Sequence, residues 1–427
     1  MTDHAAIARA IVSHFAGARR DLPWRKTRDP YAIWISEIML QQTRVQTVIP
    51  YWTRWMGKFP TVAALAQAPL DDVLAAWAGL GYYSRARNLH AGARAVVDTL
   101  GGALPARAGE LRAVPGIGPY TAGAIASIAF GERAPLVDGN VARVLARVFA
   151  IEHDIKSTAG TKALWAKAGE LMAALPEDHA PGDLNQGLME LGATLCAPAS
   201  PRCLACPLGR LCATRGDELP VVAPRKRAHE LPLLERTALW LQAGDEIVLA
   251  RRAPSGLFGG LWELPPLEAA GALGVTRVDH EPVAYHDQVL AHRRLRVAVV
   301  RGAMPASLGR SAARVRPGSL ALASLALGRS VASLGKPLDP GYDALVRVTL
   351  SRARQLGIAA ATTAILTKYE DNPWSSIPRR SPSSPKATTR SSKGSTGSAS
   401  TRQTRTSSRP RSAPRRGSTS SSTTRVR

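Results

Sequence analysis

The residues of this 427-residue chain that could do chemistry fall into three groups. Glu37 lies in YAIWISEIMLQQTRVQTVI (31–49), a run whose first half is otherwise apolar. A carboxyl flanked by Trp34, Ile38 and Leu40 is desolvated, which raises its pKa and lets it hold a proton near neutral pH. On a solvated face the same Glu would do nothing. The second group is LRAVPGIGPYTAGAIASIAFGERAPLVDGNV (111–141). It reads as a helix end, a tight Pro115-Gly116-Ile117-Gly118 turn and a second helix opened by Tyr120, with Asp138 placed to cap a further helix start at Gly139-Asn140-Val141. Two close glycines allow positive φ and close backbone approach. Unpaired N–H groups and a helix N-terminus together suit a phosphate. The third group is the four cysteines Cys196, Cys203, Cys206 and Cys212, spaced C-x6-C-x2-C-x5-C. Four thiolates in one short loop can hold a tetrahedral zinc or a four-iron cluster, and spacing alone does not choose.

Composition bounds the setting. The length leaves room for two or more domains, and 45% hydrophobic residues supports a sizeable core. The net charge of +24 points to a polyanion as partner. Roughly half of that excess sits in the Ser/Thr/Arg-rich stretch 371–427, and the remainder is still basic. The N-terminal MTDHAAIARAIVSHF lacks a signal-peptide pattern, and no apolar run reaches membrane-spanning length. Clustered cysteines in such a chain suggest a metal site in the cytoplasm and not disulfides. No membrane partner is expected.

The elements that must position these groups are helical as far as the cysteines. Apolar spacing predicts helices over 5–16, 31–49, 61–66, 70–79, 85–99, 107–113, 141–150, 161–175 and 183–195. In the second of these, Trp34, Glu37, Gln41 and Arg44 fall on a different stripe from the core-facing Ile35, Ile38, Met39 and Val45. Leu22-Pro23-Trp24-Arg25 reads as an extended segment carrying an aromatic and a cation. Gly79-Leu80-Gly81-Tyr82-Tyr83 reads as an exposed, pointed loop able to wedge between stacked bases, or else as a glycine helix cap whose aromatics fold back into the core. Residues 216–232 form a Pro-rich, charged linker. A β-hairpin is then expected from 237–241 and 247–250 around Gly244-Asp245, with strands near 261–265 and 295–300. Beyond about Arg301 no convincing period remains, and 376–427 is low-complexity and expected to be disordered.

Taken together, the hairpin with Asp138, the Ser36-Glu37-Ile38-Met39-Leu40-Gln41-Gln42-Thr43 helix and the cysteine spacing resemble the MutY-type adenine DNA glycosylases of the helix-hairpin-helix, endonuclease III superfamily. The resemblance covers about residues 5–300, with independent motifs in the right order. Tyr120 decides the branch. The lyase-competent endonuclease III branch carries a Lys there, an amine able to form a Schiff base, and a phenol cannot do that. Gly259-Gly260-Leu261-Trp262-Glu263-Leu264-Pro265 resembles the start of a Nudix-like domain. The following LEAAGALG lacks the glutamate pairs that hold metal in active Nudix enzymes, so this part is expected to bind nucleotides without hydrolysing them.

The resemblance implies an all-α helix-hairpin-helix glycosylase domain with an iron–sulfur loop over 1–215, the linker, a Nudix-like α/β lesion-recognition domain over 233–345, and a basic low-complexity tail over 346–427. The family's domain continues with further strands and a final helix. None is evident here, so the ending is read as degraded or frame-shifted after about 301. The implied activity is hydrolysis of the N-glycosidic bond of adenine opposite 8-oxoguanine or guanine in double-stranded DNA, by a monomer. Glu37 would protonate the adenine at N7, and Asp138 would stabilise or capture the sugar cation, positioned by Tyr120 and Asn140. Two carboxyls of opposed protonation suit cleavage at an anomeric carbon. Trp24, Arg25 and Gln186 would line the adenine pocket. Gln42, Leu80 and Tyr82 would fill or wedge the duplex, and Pro115, Gly116 and Gly118 would grip a phosphate. His292, in Leu290-Ala291-His292, is the remnant of the family's Phe-Ser/Thr-His lesion-reading tip. The four cysteines would hold a structural [4Fe–4S] cluster, presenting Arg202 and Arg210 to phosphates. The alternatives are a bifunctional pyrimidine glycosylase/lyase and a non-catalytic DNA-binding iron–sulfur protein.

Overall fold

A computed structural model describes residues 3–215, 231–254, 256–290, 293–308 and 342–369. Most of the linker, Ala291, His292 and the stretch after residue 369 lie outside the described residues, and with them the lesion-tip and tail expectations.

Up to Thr194 the described chain is helical. The helices are α1 (His4–Ala18), α2 (Pro30–Leu40), α3 (Val45–Lys58), α4 (Val62–Gln67), α5 (Leu70–Ala76), α6 (Ser84–Thr99), α7 (Ala108–Leu111), α8 (Pro119–Phe130), α9 (Gly139–Val148), α10 (Thr158–Ala173) and α11 (Pro181–Thr194). Several starts are set by side chains that accept from orphan backbone N–H groups: Asp3 for α1, Asp29 for α2, Thr61 for α4, Asp138 for α9 and Ser157 for α10. Pro30, Pro119 and Pro181 stand in the first turns of α2, α8 and α11, where a missing N–H costs nothing. Two cores result. One is built on α2, α3, α5 and α6, with Trp34, Trp55 and Trp77 fully buried. The other joins α1, α9, α10 and α11. Helix α8 lies between them, giving Ala122, Ile125 and Ala126 to the first and Ala124 to the second.

Four local expectations change. The run 31–49 is two helices, broken at 41–44, where Gln42 takes φ 57°. Helix α2 has no solvated stripe, because every residue from Tyr31 to Met39 is buried. Residues Pro23–Arg25 form a 3-10 turn and not an extended segment. The loop before α6 is less exposed than its composition implies. Leu80 and Tyr83 are buried in the core, and Tyr82 alone projects, 45% exposed at φ 47°.

The second half is built on sheets. Strands β1 (Leu233–Trp240), β6 (Arg293–Arg301) and β5 (Ala284–Leu290) form one sheet in the order β1-β6-β5. In the other, β3 (Glu246–Arg252) pairs with β2 (Gln242–Ala243), β4 (Trp262–Glu263) and β7 (Tyr342–Thr349). The expected hairpin between 237–241 and 247–250 is therefore a correction. β1 runs parallel to β6, with Leu233 opposite Arg294, and only residues 241–243 fold back on β3, where the Val248 N–H donates to the Leu241 carbonyl. The chain does continue past Arg301 with a strand and helices: β7, α12 (Leu350–Ala353) and α13 (Ala360–Tyr369). β7 runs antiparallel to β3 from Glu246↔Thr349 to Arg252↔Tyr342, so the fold reaches beyond residue 345. No described helix is long and apolar enough to cross a membrane.

Candidate active site

A cavity of about 550 Å³ opens where α2, α8, α9 and α11 meet. Its walls include Trp24, Arg25, Glu37, Gln42, Tyr120, Asp138, Asn140 and Gln186, residues spread over more than 160 positions of sequence. Helix α2 supplies Glu37 from its last full turn, and the start of α8 supplies Tyr120. The start of α9 supplies Asp138 and Asn140, and α11 supplies Gln186.

Glu37 is 5% exposed. Burial pushes its carboxyl up to about 7. The Tyr120 hydrogen bond and the Arg25 charge oppose that rise, and the nearby Asp138 charge adds to it. The Tyr120 hydroxyl donates to Glu37 Oε2 at 2.5 Å and lies 3.3 Å from Met189 Sδ. Burial and the adjoining Glu37 carboxyl push the phenol well above its ordinary value, so it stays a donor. Two carboxyls thus differ in setting. Asp138 Oδ1 accepts from the backbone N–H groups of Asn140 at 3.0 Å and Val141 at 2.7 Å, and Oδ2 accepts from Asn140 Nδ2 at 3.1 Å. Burial raises Asp138, while these three donors and Arg143 oppose the rise. The helix N-terminus favours its charged form. Asp138 is therefore both the cap of α9 and a carboxylate facing the cavity.

The cavity wall also holds a charge cluster of which the sequence singled out only Arg25. Glu190, 2% exposed, accepts from Arg20 Nε at 2.7 Å, Arg20 Nη2 at 2.8 Å and Arg25 Nη2 at 2.8 Å. Burial alone would raise its carboxyl, but the hydrogen bonds and charges of the two guanidinium groups hold it down to about 2. The signal available was an acid four residues after Gln186 on the same helix face. Glycine at 192 is required here: a Cβ would meet Asn140 Cβ at 2.7 Å and its carbonyl oxygen at 2.9 Å.

The remaining candidates stand outside the cavity. Pro115, Gly116 and Gly118 form an exposed turn just before α8. Gly116 takes φ 83°, and a Cβ there would meet Asn88 Cβ at 2.8 Å. Leu80 and Tyr82 lie on the neighbouring loop, with Leu80 turned inward. The four cysteines line one small pocket with Val144, Leu191 and Leu208. Arg147 Nη1 donates to Cys196 Sγ at 3.2 Å, and Cys206 is raised by burial and by the three other thiols. Among the described residues no group of three or more His, Cys, Asp or Glu closes on a single-ion position. An all-thiolate donor set in an apolar pocket fits an iron–sulfur cluster.

Residues 35–169, which carry both carboxyls, match the HhH-GPD superfamily of base excision DNA repair proteins. The adenine DNA glycosylase of Homo sapiens is 42% identical over 311 residues, 60% of this chain and 56% of that protein. That of Arabidopsis thaliana is 43% identical over 292 residues, 58% of this chain and 45% of that protein. The adenine DNA glycosylase of Buchnera aphidicola subsp. Baizongia pistaciae is 36% identical over 254 residues, 59% of this chain and 70% of that protein. The chain belongs to the adenine DNA glycosylase family within that superfamily. It spans little more than half the length of the human protein it matches.

Proposed function

We propose that this protein removes adenine from double-stranded DNA where it is mispaired with 8-oxoguanine or guanine, by hydrolysis, leaving an abasic site. The observation that carries the reading is Glu37: a buried carboxyl raised to about 7, hydrogen-bonded to Tyr120 in a cavity it shares with Asp138. A base inside a duplex must leave the stack to reach such a cavity. Tyr120 occupies Glu37 Oε2, so Oε1 is left to carry a proton to adenine N7 and improve the leaving group. The sugar then becomes cationic. Asp138, held by Asn140 and the start of α9, stabilises or captures that cation until water adds. Tyr120 offers no amine, which supports a monofunctional enzyme.

The reading extends outward. Trp24, Arg25 and Gln186 line the base pocket. Gln42 and Tyr82 enter the duplex, and the Pro115–Gly118 turn holds a phosphate. A [4Fe–4S] cluster bound by Cys196, Cys203, Cys206 and Cys212 would brace the loop after α11 and supply no step of base release. The sheet half is read as a Nudix-like lesion-recognition domain, with residues 1–215 as the catalytic one.

The test is a duplex with adenine opposite 8-oxoguanine, analysed with and without alkali. Strand breaks should appear only after alkali treatment, and Glu37→Gln should abolish them while duplex binding persists. Near-normal single-turnover excision by Glu37→Gln would overturn the assignment. Nicking without alkali would favour a lyase.

A further inference from the structure

Arg85, at the start of α6, makes more contacts than a helix-surface cation needs. Its Nη1 donates to the carbonyl oxygens of Ile38 at 2.9 Å, Met39 at 3.1 Å and Gln41 at 2.5 Å. Its Nη2 donates to the carbonyl oxygens of Leu80 at 3.0 Å and Gly81 at 3.2 Å, and to Thr43 Oγ1 at 3.3 Å. The guanidinium also lies over the rings of Trp77 and Tyr82, at 5.2 and 5.7 Å. Part of this is expected, because the C-terminal end of α2 leaves orphan carbonyls that favour a cation. What is not required by helix capping is the second set, on the loop before α6.

The two sets have a common geometry. Gln42 and Tyr82 are both non-glycine residues in the left-handed region, at φ 57° and 47°, and both are exposed. A residue's φ is set by the orientation of the peptide plane that precedes it. The carbonyls of Gln41 and Gly81 belong to the planes preceding Gln42 and Tyr82, and one guanidinium holds both. We infer that Arg85 is a positioning residue which locks the Gln42 turn and the Tyr82 turn into one rigid unit, so that the two side chains engage the duplex together. This rests on the reading above that both side chains enter DNA. The planar fork of Arg can serve two carbonyl sets at once, whereas the compact ammonium of Lys cannot. Burial lowers the Arg85 guanidinium to about 10, which leaves it charged at neutral pH.

The test has one arm without DNA and one with it. Amide hydrogen exchange is compared between the full chain and Arg85→Lys at 40–44 and 79–83. Exchange should rise in both turns together, by at least about fivefold, with α10 unchanged as the internal control. No rise, or a rise in one turn only, overturns the proposal. The second arm is a Gln42→Ala, Tyr82→Ala double-mutant cycle in the Glu37→Gln background, read by affinity for an adenine:8-oxoguanine duplex and by fluorescence of a 2-aminopurine beside the adenine. With Arg85 present each single change should lose nearly as much as both. When the cycle is repeated on top of Arg85→Lys the losses should become additive, a change in coupling of about fivefold or more. Additivity with Arg85 present overturns the proposal even if Arg85→Lys folds poorly. A wild-type chain that releases no adenine would fail the proposed function instead, and the exchange arm would remain readable.

Discussion

With Glu37 as the proposed general acid, its protonation should set the pH response of both chemistry and stability. A general acid is useful only while it holds its proton, and burial places this one at about 7. Single-turnover adenine release should therefore be flat below neutrality and fall by about tenfold per pH unit well above it, measured at saturating enzyme. A profile with no fall between pH 7 and 9 would mean that another group donates. The stability effect has the same origin. Glu37 binds its proton more tightly folded than unfolded, so its contribution is fully present below about 4.5 and is lost as pH rises through about 7. Glu37→Gln should then unfold at higher urea than wild type at pH 8, by on the order of 1–3 kcal/mol, and show little difference at pH 4. Glu190 works in the opposite sense. Its carboxyl is held down to about 2, so the stability it contributes is complete above about 4.5 and disappears as pH falls toward about 2. Glu190→Gln should be clearly less stable than wild type in urea melts at pH 7, and the gap should narrow at pH 3. Glu37 was legible in the sequence because an acid in an apolar helix conflicts with its surroundings. Glu190 was not, because α11 is amphipathic and an acid there suggests solvent. Its partners Arg20 and Arg25 enter from about 165 positions away.

Among the elements, the periodic helices were legible and the interruptions were not. Apolar spacing located most of the helices from α1 to α11 within a few residues, because burying one face is what folds them, but it merged α2 with α3 and stopped well short of the end of α3 at Lys58. The break at 41–44 carries no proline or glycine, and the contact found there is tertiary, the Arg85 guanidinium on the Gln41 carbonyl. The sheet half was harder for a related reason. β1 pairs in parallel with a strand some sixty positions later, and β7 with one about a hundred positions earlier, so neither partner lies in a local window. Close helix approach is equally hidden until the structure places Gly192 of α11 against Asn140 at the start of α9. In Gly192→Ala the new methyl would meet Asn140 Cβ and backbone, neither of which can swing away as a flexible side-chain end could. Helix α9 must move, and with it the amide that donates to Asp138. We expect a loss of roughly 1–3 kcal/mol in thermal or urea unfolding. A fall in the first-order excision rate should accompany it, with duplex affinity less affected. An unchanged rate would show that Asn140 does not need its present position.

At the scale of the whole molecule, the helical and sheet parts share a packed boundary. Leu261 and Ala359 complete the core around Trp34 and Trp77, Arg87 Nη1 donates to the Gly259 carbonyl at 2.5 Å, and Gly357 lies against Leu74. The glycine-rich phrase at 259–265, which the sequence suggests as the start of a nucleotide-binding domain, is thus spent partly on docking. The cavity with Glu37 and Asp138 is lined wholly by helices, turns and loops between Arg20 and Ala193, so the catalytic step should not depend on residues far outside them. Residues 371–427 provide the sharpest case. They carry roughly half of the chain's +24 charge, with Asp371 as their only acid. Cations of this kind bind phosphates by releasing counterions, with each phosphate neutralised adding roughly 0.9 to the log–log salt slope. Deleting 371–427 should therefore flatten the dependence of duplex affinity on salt, and should do so equally for mispaired and fully paired DNA. The excision rate at saturating enzyme should stay nearly unchanged, because no residue of the cavity is removed. Affinity titrations from low to moderate salt, paired with single-turnover assays of the same preparations, measure both quantities. A large loss of excision with an unchanged salt slope would place the tail in the chemistry and not in the electrostatic attraction.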